Sequence, residues 1–512
     1  MFEGGGFGVG VTVNHLDAPS WPSVLPPGVV ERPTRLGELM PVAARTDAEI
    51  AVELQRIEQM EGRLAAYRAE LVAELAGRRP DSRDRQLGEP GAASPDWAPG
   101  PGREAAAGVS EFFADELALV LNCSRTAATK LADSALLLTT SLRATWAALA
   151  DGALDWPRAR ALAAELALPA REVEPGVLAQ VEAAVLPRAR RLSIRGLQAA
   201  ARAELLSQDA AAADRRRAQA ARAADVTVRP LPDGMAEVSV FLPQEMATTL
   251  DRTLDRYARI AKADGDQHSL GQLRVGVLCD LVTRPWDTTR PPVTAHLTVH
   301  APLPTLHAGA PTAAPTAEVD GQPITAAHLR SLLEQLDALC PGGLQAPAGG
   351  TLDVALTDAA TGALRATVTR TQLERLARRG CPRHPDGTCG CPVLDRPPPV
   401  HRYRPSAAQR RFITIRDRTC RHPGCGNAAG WADLDHVVAH AHGGDTACEN
   451  LCCLCRRHHR LKTHAPGWSF TMTPDGVLTV TTPSGVTRTT GPPGYDDPGL
   501  HTTQGQDEPA PF

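Results

Sequence analysis

Lysine is almost absent from this chain, which has 512 residues but only three lysines, Lys130, Lys262 and Lys462. Alanine, glycine and proline are abundant, so the use of arginine in place of lysine indicates the codon bias of a GC-rich genome, and we give it no functional meaning. Runs of eighteen apolar residues are also absent, which argues against a membrane span. The first residues lack the basic and apolar segments of a signal peptide, so we expect a cytoplasmic protein.

Cysteines are scarce outside one segment of the chain. Nine of the twelve fall between Cys381 and Cys455, where they are interleaved with histidines. This clustering is typical of metal binding in a reducing compartment and is unlike a disulfide framework. The sequence therefore predicts a metal-binding module in this part of the chain.

The net charge of -4 averages over regions of opposite sign. Residues 401–464 contain eleven arginines and lysines and five acidic residues, an excess of six positive charges, so the rest of the chain is acidic. A basic module on an acidic chain favours a polyanionic partner at that module. An ordinary solvated basic surface is the alternative.

Length and apolar patterning predict a multidomain fold, with a mostly α N-terminal domain, a small α+β middle region and a separate C-terminal module. We divide the chain where its composition changes: a flexible segment 1–45, a mainly helical domain 46–290 with a short hairpin at 225–243, a mixed α/β region 291–380, a Cys/His-rich linker 381–400, a metal-binding module 401–466, and a segment 467–512 with a pair of short strands and a disordered tail.

A long amphipathic helix is predicted at 46–77. Thr46 and Glu49 have the spacing of a capping box. Apolar residues follow at spacings of three, four or seven, namely Ile50, Leu54, Ile57, Leu64, Leu71 and Leu75. We expect this seam to pack against its own domain. Because the spacing is heptad-like, the alternative is a homodimer formed through the helix.

Two short ligand clusters about thirty residues apart predict a structural zinc site. Cys420-x4-Cys425 forms a knuckle, and Cys455-x2-His458 supplies two further ligands from one face of a helix that we place from about Asn450 onward. Cys452 and Cys453, on the same predicted helix, are expected to be small core residues.

A second cluster precedes the module. Cys381, His384, Cys389 and Cys391 are four suitable ligands within eleven residues and favour a second zinc site. A loop with isolated thiols is the alternative.

Four polar residues are not used by the predicted zinc: Asp435, His436, Asn450 and His459. His459 directly follows His458, so on a helix its side chain is rotated by about 100° toward another site. A carboxylate and an imidazole suit a hard divalent ion such as Mg²⁺, and a free histidine beside such an ion can act as general base. Because neighbours on a strand point to opposite faces, the strand "WADLDHVV" must end or bulge at Asp435 and His436 if both serve one site.

The string from Asp435 to His459 resembles an HNH endonuclease, a member of the ββα-metal nucleases, in the subgroup whose motif is flanked by zinc half-sites. The resemblance covers about residues 400–465 and implies that His436 activates water, that Asp435 and His459 hold a catalytic Mg²⁺ or Mn²⁺, and that Asn450 ties the hairpin loop. His458 stands where many members have a second cysteine, and histidine is an acceptable zinc ligand.

The segment "HRYRPSAAQRRFITIRDRTCRHPGC" (401–425) is similar to a motif of a large actinobacterial group of such nucleases. In that group a helical domain of unknown function precedes the nuclease. This weaker resemblance covers most of 46–465 and implies no activity for the helical part.

The resemblance implies hydrolysis of DNA phosphodiesters. Seven basic residues are candidate phosphate contacts, with ordinary solvated surface as the alternative for each: Arg416, Arg418, Arg421, Arg456, Arg457, Arg460 and Lys462. A second functional hypothesis is a non-catalytic, zinc-stabilised DNA-binding protein derived from a mobile element. A third treats the helical domain as a protein-interaction module.

Overall fold

A computed structural model describes residues 46–494 apart from 87, 93–107, 168, 172, 210–217, 219–220, 222–223, 232–234, 284–298, 302–316, 320–321, 336, 341–342, 347–351, 359–360 and 380–393. The predicted N-terminal segment 1–45 and the predicted tail after 494 lie outside the described residues. So does the predicted second zinc cluster, Cys381, His384, Cys389 and Cys391.

The N-terminal part is helical, as the sequence predicts. Within the described residues it contains helices α1 to α7, at Asp47–Gly77, Phe113–Leu121, Arg125–Thr140, Arg143–Ala150, Trp156–Leu166, Pro175–Val185 and Ile194–Gln208. The predicted capping box of α1 is confirmed. The Glu49 amide donates to Thr46 Oγ1 at 3.3 Å, and the Thr46 amide donates to a Glu49 carboxylate oxygen at 2.8 Å.

The buried face of α1 differs from the predicted one. Its buried residues are Gly62, Ala65, Ala66, Ala69, Val72 and Ala76, whereas Leu64 and Leu71 of the predicted seam are 44% and 52% exposed. A Cβ on Gly62 would lie 3.2 Å from the carbonyl oxygen of Leu154, so a small residue is needed there for close approach. Close packing between helices therefore selects the alanine face, and the expectation that the leucine seam packs on its own domain is wrong for these residues.

The central part combines helices with small antiparallel sheets. The predicted hairpin is confirmed as strands β1 and β2, at Asp225–Pro230 and Ala236–Phe241, and helices α8 and α9 follow at Gln244–Ala263 and Leu270–Thr283. Strands β3 to β5 form one sheet at Val299–His300, Ala317–Val319 and Gln322–Ile324. The rest of the central part consists of helix α10 (Ala326–Gln335), the strand pair β6–β7 (Leu339–Cys340 and Gly343–Leu344), the strand pair β8–β9 (Asp353–Thr357 and Leu364–Thr369) and helix α11 (Arg370–Arg379).

The C-terminal module places two antiparallel strands between two helices. Its elements are α12 (Ala407–Asp417), β10 (Asp433–His436), β11 (Leu451–Leu454) and α13 (Arg456–His464). The helix predicted from about Asn450 instead begins at Arg456, because "LCCL" is a strand paired with "DLDH". Cys452 and Cys453 are fully buried, which confirms them as core residues but on a strand.

A three-stranded sheet follows, where the sequence predicted a pair of strands. Its members are β12 (Ser469–Met472), β13 (Leu478–Thr481) and β14 (Thr487–Thr490). Leu478 and Val480 of the middle strand pack in one apolar cluster with Cys420, Cys452 and Cys455 of the module. The last sheet therefore covers the cysteine-rich part of the module.

Helix α2 of the N-terminal part joins the same apolar cluster through Leu119. The guanidinium of Arg488 in β14 donates to the Leu119 carbonyl at 3.1 Å. The helical part and the C-terminal module thus share buried contacts. No helix in the described ranges combines the length and hydrophobicity that crossing a membrane requires.

Candidate functional site

The four predicted zinc ligands lie together. One ligand atom from each of Cys420, Cys425, Cys455 and His458 can be chosen so that all four lie within 4.8 Å of one another. His458 Nδ1 is 3.4 Å from the sulfur of Cys420 and 3.2 Å from that of Cys455. Three thiols and one imidazole at such separations suit a tetrahedral ion with metal–sulfur bonds of about 2.3 Å. The cluster can therefore hold a metal ion such as zinc.

Backbone hydrogen bonds shape the knuckle that supplies two of these ligands. The Cys420 amide donates to the Asn427 carbonyl at 2.7 Å, and the Cys425 amide donates to the His422 carbonyl at 3.1 Å. Gly424 has a φ of 76°, a left-handed conformation that favours glycine at this turn. Cys455 is the N-cap residue of α13, and His458 lies in its first turn.

Hydrogen bonds within the cluster shift the pKa values of two of its thiols in opposite directions. The pKa of Cys455 is lowered because its sulfur accepts hydrogen bonds from Cys420 and Cys425. The pKa of Cys420 is raised, chiefly by its hydrogen bond with Cys425. The ring of His422 stacks on His458 at 3.8 Å between centroids and 4° between planes, and burial lowers the pKa of His422 to about 3. The neutral imidazole of His422 therefore covers one face of the His458 ring.

The second set of polar residues is centred on the end of β10. This strand ends at His436, as the sequence argument required. His459 Nε2 lies 3.5 Å from Asp435 Oδ1, and His459 Nδ1 lies 2.8 Å from Asp433 Oδ2. The two aspartates are two residues apart and so share one face of the strand. His459 thus bridges them and presents one nitrogen toward Asp435, on a different side of α13 from the cysteine cluster.

Lys462 also enters this set. Its ammonium lies 2.9 Å from Asp435 Oδ2 and donates to the His436 carbonyl at 2.7 Å. Asp435 Oδ2 is therefore compensated by the ammonium of Lys462, while Oδ1 faces His459 Nε2.

His436 is oriented by a buried hydroxyl and an aromatic ring. Its Nε2 is 2.8 Å from Thr446 Oγ1, and Tyr403 stacks on the imidazole with centroids 5.3 Å apart. Burial lowers the pKa of His436, although nearby Asp435 opposes this effect. A neutral imidazole with one nitrogen fixed by a hydroxyl can use the other nitrogen to accept a proton.

Asn450 fastens the loop between the two strands. Its Oδ1 accepts from the Val438 amide at 2.8 Å, and its Nδ2 donates to the carbonyls of Val438 and Asp445 at 3.0 and 2.9 Å. A Cβ on Gly444 would lie 1.9 Å from the Val438 oxygen and 2.8 Å from Asn450 Nδ2. Glycine is therefore required at 444 for the loop to close around the asparagine.

Most of the seven basic residues that were candidates for phosphate contacts are engaged inside the protein. Arg416 and Arg421 are buried, and Arg418 pairs with Glu318 at 2.7 Å. Arg457 and Arg460 pair with acidic residues of the helical part, and Lys462 pairs with Asp435. Only Arg456 among the seven keeps a mostly exposed side chain. The interpretation of this group as a phosphate-binding surface is therefore wrong for its partly and fully buried members, because local acidic groups and carbonyls compensate them.

The sequence argument missed several residues of the site. Asp433 could have been found, since it lies two residues before Asp435 on a predicted strand and so shares its face. Three other residues reach the site through tertiary folding alone: Thr446, Tyr403 and Asp115. Asp115 lies 3.3 Å from His458 Nε2. Sequence spacing carries no signal for such contacts.

Fold and site together define a mainly helical protein whose C-terminal α+β module assembles a cluster of three cysteines and one histidine. The chain matches the model of the family described as "Domain of unknown function (DUF222)" over residues 51–339, more than half of its length, and it belongs to that family. This match ends before the module that carries the cysteine cluster and the polar residues at the end of β10.

The chain is also similar to two proteins of Mycobacterium tuberculosis. The uncharacterized protein Rv3776 of Mycobacterium tuberculosis is 46% identical over 110 residues, 21% of this chain and 21% of the relative. The uncharacterized protein Rv2100 of the same species is 47% identical over 90 residues, 18% of this chain and 16% of the relative. Each match thus spans about a fifth or less of the relative. No solved structure matches the chain.

Proposed function

We propose that the C-terminal module is a metal-dependent DNA endonuclease of the HNH type, with a structural zinc in the Cys420–Cys425–Cys455–His458 cluster. The observation that supports it most is the convergence of Asp435 and His459 at 3.5 Å beside a strand end that carries His436. The loop locked by Asn450 adds the remaining member of the motif. Reduced thiols in a zinc cluster also fit the cytoplasmic location expected from the sequence.

In this proposal His436 is the general base. Thr446 holds its Nε2, so Nδ1 is the nitrogen that takes a proton from water. The resulting hydroxide attacks phosphorus in line with the 3′ oxygen, which leaves as the bond between phosphorus and that oxygen breaks. Asn450 acts at a distance, because it fixes the loop that carries Thr446.

Asp435 and His459 are the residues that would hold the catalytic Mg²⁺ or Mn²⁺. They fit such an ion, since a buried carboxylate and an imidazole nitrogen converge there, with Asp435 Oδ1 3.5 Å from His459 Nε2. A bound divalent ion would supply Lewis-acid stabilisation of charge on the phosphate and on the leaving oxygen. Asp433 orients His459 through its other nitrogen, as outer carboxylates commonly do for metal-bound histidines.

Contacts with DNA would come from exposed cationic and aromatic side chains of 401–410, the segment that places Tyr403 against His436. Arg402, Arg404 and Arg410 are exposed, and Tyr403 is 63% exposed while it stacks on His436. Such side chains suit phosphate and base contacts that weaken with salt. In the proposed interface these exposed side chains contact the DNA, whereas the buried arginines Arg416 and Arg421 do not.

A second candidate function is a non-catalytic, zinc-stabilised DNA-binding module. The pairing of Lys462 with Asp435 at 2.9 Å favours it, because that carboxylate then already has a counter-charge. The two candidates make opposite predictions for supercoiled plasmid. A nuclease nicks it when Mg²⁺ or Mn²⁺ is added to the zinc-loaded protein and leaves it intact without the added ion. A binding module retards the plasmid on a gel and never nicks it.

We also propose a homodimer through α1. The heptad positions of the seam are Ile50, Ile57, Leu64 and Leu71, and Met60 and Tyr67 lie three residues after Ile57 and Leu64. Four of these side chains are 43–52% exposed: Met60, Leu64, Tyr67 and Leu71. Because the alanine face of α1 is already buried in its own domain, this seam is available to a second copy.

A further inference from the structure

Helix α2 of the DUF222 part lies against the helix that carries the metal-ligating histidine. Asp115 of α2 is 1% exposed and lies 343 residues before His458 in sequence. Its Oδ1 is 3.3 Å from His458 Nε2, and both of its oxygens contact the guanidinium of Arg457 at 2.5–3.2 Å. A buried carboxylate in this position requires compensating partners, and the module supplies two of them.

The two nitrogens of His458 face different partners. Nδ1 faces the sulfurs of Cys420 and Cys455, whereas Nε2 faces Asp115. When a histidine binds a metal through one nitrogen, a carboxylate that accepts the proton of the other nitrogen fixes the tautomer and the ring orientation. Asp115 has the position of such a carboxylate.

We infer that Asp115 is a positioning residue of the metal centre, so that the DUF222 part completes the outer shell of a site whose direct ligands all lie in the C-terminal module. This inference rests on the zinc part of the proposed function and not on nuclease activity. It gives the DUF222 helix α2 a physical role: it holds His458 in the tautomer that presents a lone pair on Nδ1 to the ion.

Other contacts dock α2 without touching the ligand. Arg460 donates to a Glu111 carboxylate oxygen at 3.0 Å, and the guanidinium groups of Arg457 and Arg460 lie 5.4 and 5.7 Å from the ring centroid of Phe112. Metal binding and docking of α2 are consequently linked, since each favours the same placement of α13. By linkage, loss of the metal must weaken the docking of α2 by the same free energy that undocking of α2 removes from metal binding.

The zinc affinity of the full-length chain tests this directly, by competition with a chelator of known affinity. Asp115→Asn keeps the shape but removes the charge, and its zinc dissociation constant should rise about 10- to 100-fold. Glu116→Gln, which breaks a buried pair with Arg79 inside the helical part, is the matched control and should keep the wild-type value. Glu111→Gln, just before the helix, weakens docking through Arg460 but leaves the carboxylate beside His458, so its loss of affinity should be smaller than that of Asp115→Asn.

Three outcomes would overturn the inference. Wild-type affinity in Asp115→Asn would remove the role of the carboxylate while leaving the metal centre intact. An equal loss in Glu111→Gln would show that docking alone matters. A wild-type chain without any bound zinc would overturn the metal centre and the inference together.

Hydrogen–deuterium exchange on the wild-type chain supplies a second test that requires no variant to fold. Removal of zinc should increase amide exchange in 113–121 as well as in 456–464. Exchange that rises in 456–464 but stays unchanged in 113–121 would contradict the linkage.

Discussion

The carboxylate of Asp433 lies 2.8 Å from Nδ1 of His459 and thereby turns Nε2 of that histidine toward Asp435. A strand residue outside the predicted motif thus orients a residue inside it. The adjacent His458 points its own Nδ1 at the cysteine cluster. Two consecutive histidines on α13 therefore face two different groups of residues, and each has an aspartate beside one of its nitrogens.

Replacing Asp433 should impair nicking without changing zinc content. Asp433→Asn weakens the hold on His459, and because such outer carboxylates contribute about 10- to 100-fold, the nicking rate should fall by that factor. Asp445→Asn is the matched control, since it removes an exposed carboxylate from the loop and should keep the wild-type rate. Equal rates for the two variants would contradict the role of Asp433.

Gly444→Ala should open the loop that Asn450 closes. The added Cβ would meet the Val438 carbonyl oxygen at 1.9 Å, so the backbone must shift, at a cost of about 1–3 kcal/mol. Hydrogen–deuterium exchange in 437–446 should rise, and nicking should fall. Gly430→Ala, where a Cβ meets no atom within 4 Å, should do neither. Unchanged exchange in Gly444→Ala would refute the close packing.

Metal analysis of the purified chain should find at least one tightly held zinc. Cys420→Ser and Cys455→Ser should each lose it, because each removes one of four ligands from a closed tetrahedral site. Cys448→Ala should retain it, since that buried thiol belongs to a different apolar cluster. Zinc retained in both ligand variants would disprove the assignment.

The seam of α1 should control the oligomeric state. Light scattering should give the mass of a dimer for wild type. Leu64→Glu places a charge at a central heptad position and should give the mass of a monomer. Val52→Glu is the control: this residue is 47% exposed but lies off the seam. A monomeric wild type, or a dimer that survives Leu64→Glu, would reject the proposed dimer.

Local signals predicted local features well. The capping box of α1 joins two residues that are three apart in sequence. Each half of the metal cluster is also local, since one pair of ligands lies in one knuckle and the other pair in one helical turn. The strand "LCCL" was misread as helix because a short buried apolar run fits either structure, and only its pairing with "DLDH" decides between them.

Tertiary contacts escaped sequence reasoning. The burial of alanines in place of leucines on α1 depends on how closely its neighbours approach. Arg457 and Arg460 looked like candidates for DNA contacts until the structure paired them with Asp115 and Glu111, more than three hundred residues away. Charge counts cannot separate an arginine that binds a phosphate from one that binds another part of its own chain.

Nicking of supercoiled plasmid by wild type and by His436→Ala tests the central claim most directly. With Mg²⁺ or Mn²⁺ added to the zinc-loaded full-length chain, wild type should nick the plasmid. His436→Ala should lose this activity while keeping its zinc content and its circular dichroism spectrum. His442→Ala, an exposed loop histidine, should nick like wild type. Equal nicking by wild type and His436→Ala, or no nicking by zinc-loaded wild type, would contradict the proposed nuclease.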